Sequence, residues 1–319
     1  MKRTFYNSER DKQSELYNQG FFGNARNRGH WAIIDRKGKK IGEATDVEYI
    51  LIPEDSKNNM FAPIQQDALD YFKRYNISWW RQEEDGYFPT GHLVSSQNHC
   101  INHLFALRKD PNAVKSIIEN ATSLQFDEVL ASLIDSDPES YVSFEFAFHN
   151  DDWLQENDEG SRRGTMCTSI DALIFARIGK ERWLIPIEWK YTETYNKTDK
   201  TNATRMKRYA HLIEYSSQLK MPDEGIAHSV YFIEPSYELM RQTLLCEQII
   251  AHGYADHFFH INIIPNMHYE LRNAVESMFV PMLNDKSKFR IIDPQELLAP
   301  LEGNEKYSKL LEYLRKRYW

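Results

Sequence analysis

The chain has 319 residues, 41% hydrophobic and 13% aromatic, enough to bury one large core or two smaller ones. Its net charge of −8 argues against a protein that coats nucleic acid through overall attraction. With no long apolar run, no apolar stretch in the N-terminal MKRTFYNSERDKQSELYNQG and widely separated Cys100, Cys167 and Cys246, the expectation is a cytoplasmic protein without membrane span, signal peptide, zinc ribbon or disulfide framework.

Residues 1–90 read as an N-terminal extension. Short apolar runs, WAIID and VEYILI, suggest a few strands, and Ile64, Ala68, Leu69 and Phe72 share one face of a helix over 64–75. Residues 91–319 read as the main domain. It opens with a helix from Ser95 or Ser96 to Arg108, with Ser at its N-cap and Pro111 beyond its end. Further helices are expected near 112–120 and 126–135. At Tyr141 the period changes to two: in YVSFEFAFH, Val142, Phe144, Phe146 and Phe148 share one face, and Ser143, Glu145 and Ala147 the other.

An acidic stretch follows, five acids and no base between Asp151 and Glu159. Then come two strands, Thr168–Ile178 and Arg182–Lys190, joined by Gly179-Lys180-Glu181, which read as an antiparallel hairpin. A turn centred on Gly179 and Lys180 opposes Ile170 to Trp189, Ala172 to Ile187, Ile174 to Ile185 and Ala176 to Trp183, an apolar face on both strands. The same register sets Asp171 opposite Glu188 and Ser169 opposite Lys190 on the other face, with opposed Cβ atoms about 4.5–5.5 Å apart. A one-residue slip would send the apolar set to the wrong face.

Two carboxylates side by side repel unless a proton or cation lies between them, and Mg²⁺ takes oxygen ligands of this kind. The Trp189 carbonyl could supply a further oxygen, and Lys190 stands where it could orient or deprotonate an attacking water or stabilise phosphate charge. An E-x-K tripeptide alone is common and would read as a salt bridge on a solvent-facing strand; the apolar flanks and the matched Asp171 favour a site. Glu145 is a further candidate, from its strand face.

Residues 177–208 carry nine bases against four acids, so phosphate could be met locally. A helix over 204–219 presents Arg205, Lys207 and Arg208, a strand is expected over 228–234, and a helix over 237–251 places Arg241 and Gln242 in its first turns. Arg163 and Tyr191 join Arg205, Arg208, Arg241 and Gln242 as substrate-binding candidates. His252, His257 and His260 lack zinc spacing and read as structural. Residues 289–319 add a short apolar segment and a basic helix ending LRKRYW, which could touch DNA, a partner or a second subunit. G-x-S-x-G, a P-loop and G-x-G-x-x-G are absent, which disfavours acyl transfer, nucleotide hydrolysis and dinucleotide chemistry.

D-A-L-I-F followed by L-I-P-I-E-W-K resembles the bipartite motif of the PD-(D/E)XK nucleases, Asp171 matching the motif Asp and Glu188-x-Lys190 its second half. Ile170 stands where a proline is conventional. With S-S-Q, FEFAF, R-G-T-x-C-T-S-I-D-A and Y-E-L-M-R-Q-T-L-L-C-E-Q, the resemblance spans about 95–265 and extends to a group of bacterial restriction-endonuclease-like proteins. It implies an α/β (mixed α+β) fold with a central mixed sheet flanked by helices, and Mg²⁺- or Mn²⁺-dependent cleavage of DNA; RNA substrates and homodimers stay open. It also implies an acid or Gln from the first core helix: Gln97, or alternatively Glu128. A catalytically inactive nuclease-fold protein that binds nucleic acid or a partner is the second reading.

Overall fold

The computed structural model describes residues 4–34, 40–80, 88–148, 152–156, 161, 163–165, 167–195, 198–221 and 228–319. Asp151, Asp158 and Glu159 of the acidic stretch and Lys197 of the basic segment lie outside them. Two compact units are present: residues 1–106 with 304–319, and residues 107–303. This division differs from a boundary near residue 90 in where the helix after Ser95 and the last helix fall.

The first unit begins with α1 (Phe5–Asn18), capped by Thr4, followed by a two-stranded antiparallel ribbon of β1 (Gly29–Ile34) and β2 (Lys40–Val47). Apolar periodicity does not reveal α1, because its buried residues are Glu9, Gln13 and Leu16 and only one of them is apolar. α2 (Gln65–Arg74) buries Ala68, Tyr71 and Phe72, and α3 (Ser96–Leu104) starts from the expected Ser95 cap. His99 and His103 are one turn apart on α3, almost wholly removed from solvent.

Burial, with Arg317 adding to it, holds both imidazoles low, His103 at about 3. A folded pKa below the unfolded value leaves their contribution complete above about pH 6.5 and lost as pH falls towards the folded value. Between pH 6.5 and 5 His103 alone is expected to cost about 2 kcal/mol. Urea unfolding at the two pH values checks this. The loss should shrink by that amount in His103→Gln, and an equal loss in both proteins would contradict it.

The second unit opens with α4 (Pro111–Thr122), capped by Asp110 and ended by Ser123 at φ +60°. The helix expected over 126–135 is not formed. Glu119 accepts from the Phe126 amide (2.9 Å) and Asp127 from the Gly179 amide (2.6 Å), which hands the chain to β3 (Glu128–Leu130) on a sheet edge. β4 (Ser143–Phe146), β5 (Ile170–Ile178) and β6 (Glu181–Trp189) follow, then α5 (Ala203–Glu214), α6 (Ser236–Ala251), β7 (His257–Phe258), β8 (His260–Ile263), α7 (Tyr269–Met278), β9 (Phe289–Ile292) and α8 (Pro294–Leu298). The mixed sheet runs β3-β5-β6-β8-β9, with β4 also on β5 and β7 on β6. The fold is mixed α/β, as expected.

The β5–β6 hairpin keeps the expected register, with Ala172 against Ile187, Ile174 against Ile185 and Ala176 against Trp183, and Gly179 supplies the turn at φ +60°. Both faces are covered. Ala172, Ile174, Ile185 and Ile187 are fully buried on one; Leu173, Phe175 and Leu184 on the other join Tyr209, Met240, Leu244 and Val275 of α5, α6 and α7 in one cluster. The parallel pairing of β6 with β8 requires this, since the crossover that returns the chain carries α5 and α6 over the sheet.

The strand expected over 228–234 is instead a short 3-10 turn, 228–232. Tyr231 donates its hydroxyl to the Lys220 carbonyl (2.6 Å), and the Phe232 carbonyl accepts from the Lys200 amide (2.7 Å), so the segment is tied to neighbouring loops rather than to a strand of the sheet. β8 takes the fourth core position.

The C-terminal α9 (Ser308–Arg317) belongs to the first unit. Its Arg317 is fully buried, donating to Gln13 Oε1 (3.1 Å) and the Asn59 carbonyl (2.6 Å). Of the basic run LRKRYW, Arg317 is therefore not available to nucleic acid.

Candidate functional site

Pairing across the sheet aligns its oxygen donors. Phe144 pairs with Ala172 and Phe146 with Ile170, which brackets Glu145 opposite Asp171. The β5–β6 ladder ends at Ala172 and Ile187, and its next rung sets Asp171 against Glu188; Glu188 in turn pairs with Asn262 of β8. Glu145, Asp171, Glu188 and Asn262 thus form one lateral row at the end of the hairpin away from its turn.

Asp171 also does what a strand neighbour would do: its Oδ2 accepts from the Trp189 amide at 2.7 Å. Glu145 leaves regular strand geometry, at φ +47°, and its carbonyl accepts from Arg163 Nε at 3.2 Å. A left-handed non-glycine residue beside such a row is a conformation that the surrounding structure has to hold.

Glu188 is 1% exposed. Its Oε1 touches the Lys190 ammonium without a directed hydrogen bond, while Oε2 accepts from the Gln242 amide. Lys190 also reaches Glu238 Oε2 at 2.6 Å, and the Tyr195 hydroxyl donates to the same oxygen at 3.0 Å. Burial first, then Glu145, pushes the Asp171 carboxyl well above its usual range; burial first, then Asp171 and Glu238, does the same to Glu188. Burial pulls Lys190 down, but Glu188 and Glu238 outweigh it and keep it fully charged. For Glu238 burial is likewise outweighed, by Lys190, which holds it at about 2.

Glu238 was not singled out in the sequence. The available signal was helical spacing: 238, 241 and 242 lie on one face of α6, so the helix carrying Arg241 and Gln242 towards the sheet carries Glu238 with them. Gln242 donates to the Ser169 carbonyl (3.0 Å) as well as to Glu188, and its Oε1 lies 3.2 Å from His260 Nε2. Arg241 donates to Thr168 Oγ1 (3.1 Å) and covers the Tyr237 ring at 4.8 Å.

The other candidates lie in different settings. Arg163 is buried, donating to Asp135 Oδ1 (2.9 Å) and the Phe144 carbonyl (2.6 Å). Tyr191 is buried beyond the end of β6, its amide donating to Glu193 Oε2 (2.8 Å). Arg205 donates to the Lys200 carbonyl (2.8 Å), and Arg208 is half-buried on α5. Gln97 belongs to the first unit, where its amide accepts from the Trp80 amide (2.9 Å) and donates to the Ser78 carbonyl (3.2 Å). Glu128 pairs with Arg177 at the edge of the sheet (2.6 Å).

Among the described residues no group of three or more His, Cys, Asp and Glu side chains is arranged to hold a metal unaided. The row nonetheless suits a hard cation. Asp171 and Glu188 are two carboxylates raised first by burial, with Glu145 adding to it at Asp171 and Asp171 adding to it at Glu188, and Mg²⁺ commonly uses only one or two carboxylates, with water and phosphate completing its shell. Among the described residues no helix is long and apolar enough to cross a membrane.

A family model described as Restriction Endonuclease associating with ARP matches residues 24–319. No curated protein and no solved structure gives a significant match.

Proposed function

The chain belongs to this restriction-endonuclease family, and from that membership we propose that it is a Mg²⁺- or Mn²⁺-dependent nuclease that hydrolyses phosphodiester bonds in DNA. The reading is supported by the Ala172–Ile187 register, which continued by one residue brings Asp171 opposite Glu188, and by the contact of Lys190 with Glu188 on that face.

Asp171, Glu188 and the Trp189 carbonyl are the groups that hold the cation. When bound, the cation polarises a phosphoryl oxygen and lowers the pKa of a water. Glu188 is aimed by Gln242, and Asp171 by the Trp189 amide, so both carboxylates meet their ligand with little freedom left to lose. Lys190 orients the attacking water and places positive charge near the phosphate as negative charge grows there. The contacts of Arg163, Arg241 and Gln242 favour a supporting role for them over direct contact with substrate. Arg205 and Arg208 on α5 remain candidates for the DNA backbone.

Supercoiled plasmid incubated with the protein is expected to be nicked or linearised in Mg²⁺ or Mn²⁺ and left intact when EDTA is added. Absence of cleavage in both metals, across plasmids of different sequence, would defeat the reading. It would favour a nuclease-fold protein that binds without cutting.

A further inference from the structure

One turn of α6 meets both halves of the E-x-K pair: Gln242 holds Glu188, and Glu238 holds Lys190. The two oxygens of Glu188 are therefore both engaged, Oε2 by the Gln242 amide and Oε1 by the Lys190 ammonium. A cation that binds Glu188 needs one of them. The amide is bound at three points, to Glu188, the Ser169 carbonyl and His260, whereas the ammonium already has a second carboxylate within reach. That carboxylate, Glu238, is anchored by the Tyr195 hydroxyl, and its side chain is 28% exposed against 1% for Glu188, so a charge moved onto it moves towards solvent.

We propose that Glu238 is a positioning residue that takes Lys190 from Glu188 when a divalent cation binds, so that the lysine and the cation do not compete for one carboxylate. The inference rests on the metal-site reading above. Without Glu238 a buried ammonium leaving Glu188 would lose the second carboxylate it already touches, and a poorly paired buried charge is costly. Glu238 would thus set how readily the cation enters while leaving its ligands unchanged.

Thermal unfolding across a Mg²⁺ titration, without DNA, gives the apparent affinity of wild type, Glu238→Gln, Lys190→Met and the double variant. Glu238→Gln is expected to weaken Mg²⁺ about tenfold, and the same change in the Lys190→Met background less than about threefold. Unfolding midpoints without metal report whether each variant is folded. If Glu238→Gln does not fold, Tyr195→Phe, which removes the hydroxyl donor to Glu238, is expected to weaken Mg²⁺ by about threefold only when Lys190 is present. Equal weakening with and without Lys190 would make Glu238 a ligand or a general negative charge and overturn the proposal, as would no weakening at all. If wild type is not stabilised by Mg²⁺, the metal-site reading falls and takes this inference with it.

Discussion

Asp171→Asn is expected to lower metal-dependent plasmid cleavage by about 10²–10⁴-fold without loss of folding stability. The asparagine keeps the shape of the aspartate and an oxygen for the Trp189 amide, so the end of the hairpin stays tied. It also removes a charge that burial and Glu145 already disfavour, which is why stability at neutral pH should hold or rise. Lys190→Ala is expected to reduce cleavage over the same range of about 10²–10⁴-fold, but to destabilise as well, because Glu188 and Glu238 lose the charge between them. Cleavage rates beside urea unfolding separate the two effects. An Asp171→Asn protein that cuts as fast as wild type would remove Asp171 from the chemistry.

Arg163→Ala is expected to cost about 3–5 kcal/mol, the penalty for breaking a buried ion pair from one side. Asp135, whose side chain is wholly buried, would lose its guanidinium, and the Phe144 and Glu145 carbonyls would lose donors on the strand that faces Asp171. Arg163→Lys restores the charge but not the planar fork, so it should recover only part of the loss. Urea unfolding measures both. A change below about 1 kcal/mol, together with weakened DNA binding, would return Arg163 to the substrate surface, since an exposed ion pair contributes no more than that.

The hairpin was legible because two independent patterns select one register. Ala172, Ile174, Ile185 and Ile187 must share a buried face, and that alone sets Asp171 across from Glu188. Covering of the second face was less legible. Leu173, Phe175 and Leu184 share the face of the acids, and only the parallel return through β8 shows that helices lie over them. The 126–135 and 228–234 segments were misread because their polar groups find partners outside the segment: the Phe126 amide on the Glu119 carboxylate, the Phe232 carbonyl on the Lys200 amide, and the Tyr231 hydroxyl on the Lys220 carbonyl. A lone sequence does not display such partners.

Within the site, strand alternation revealed Asp171, Glu188, Lys190 and the facing side of Glu145, whose left-handed backbone it could not foresee. Glu238 escaped because it reaches the row from a helix nearly fifty residues on from Lys190, across a crossover whose geometry is set by packing. Basic residues misled for the opposite reason. Arg163, Arg241 and Arg317 look like phosphate ligands in a sequence, yet their guanidinium groups serve buried carboxylates, hydroxyls and carbonyls.

Calorimetric titration of Mn²⁺ into the protein, without nucleic acid, tests the central claim most directly. One binding event is expected in wild type, and its loss in both Asp171→Asn and Glu188→Gln, with each variant still folded. Binding that survives in both variants would place the cation elsewhere and contradict a metal centre at Asp171 and Glu188.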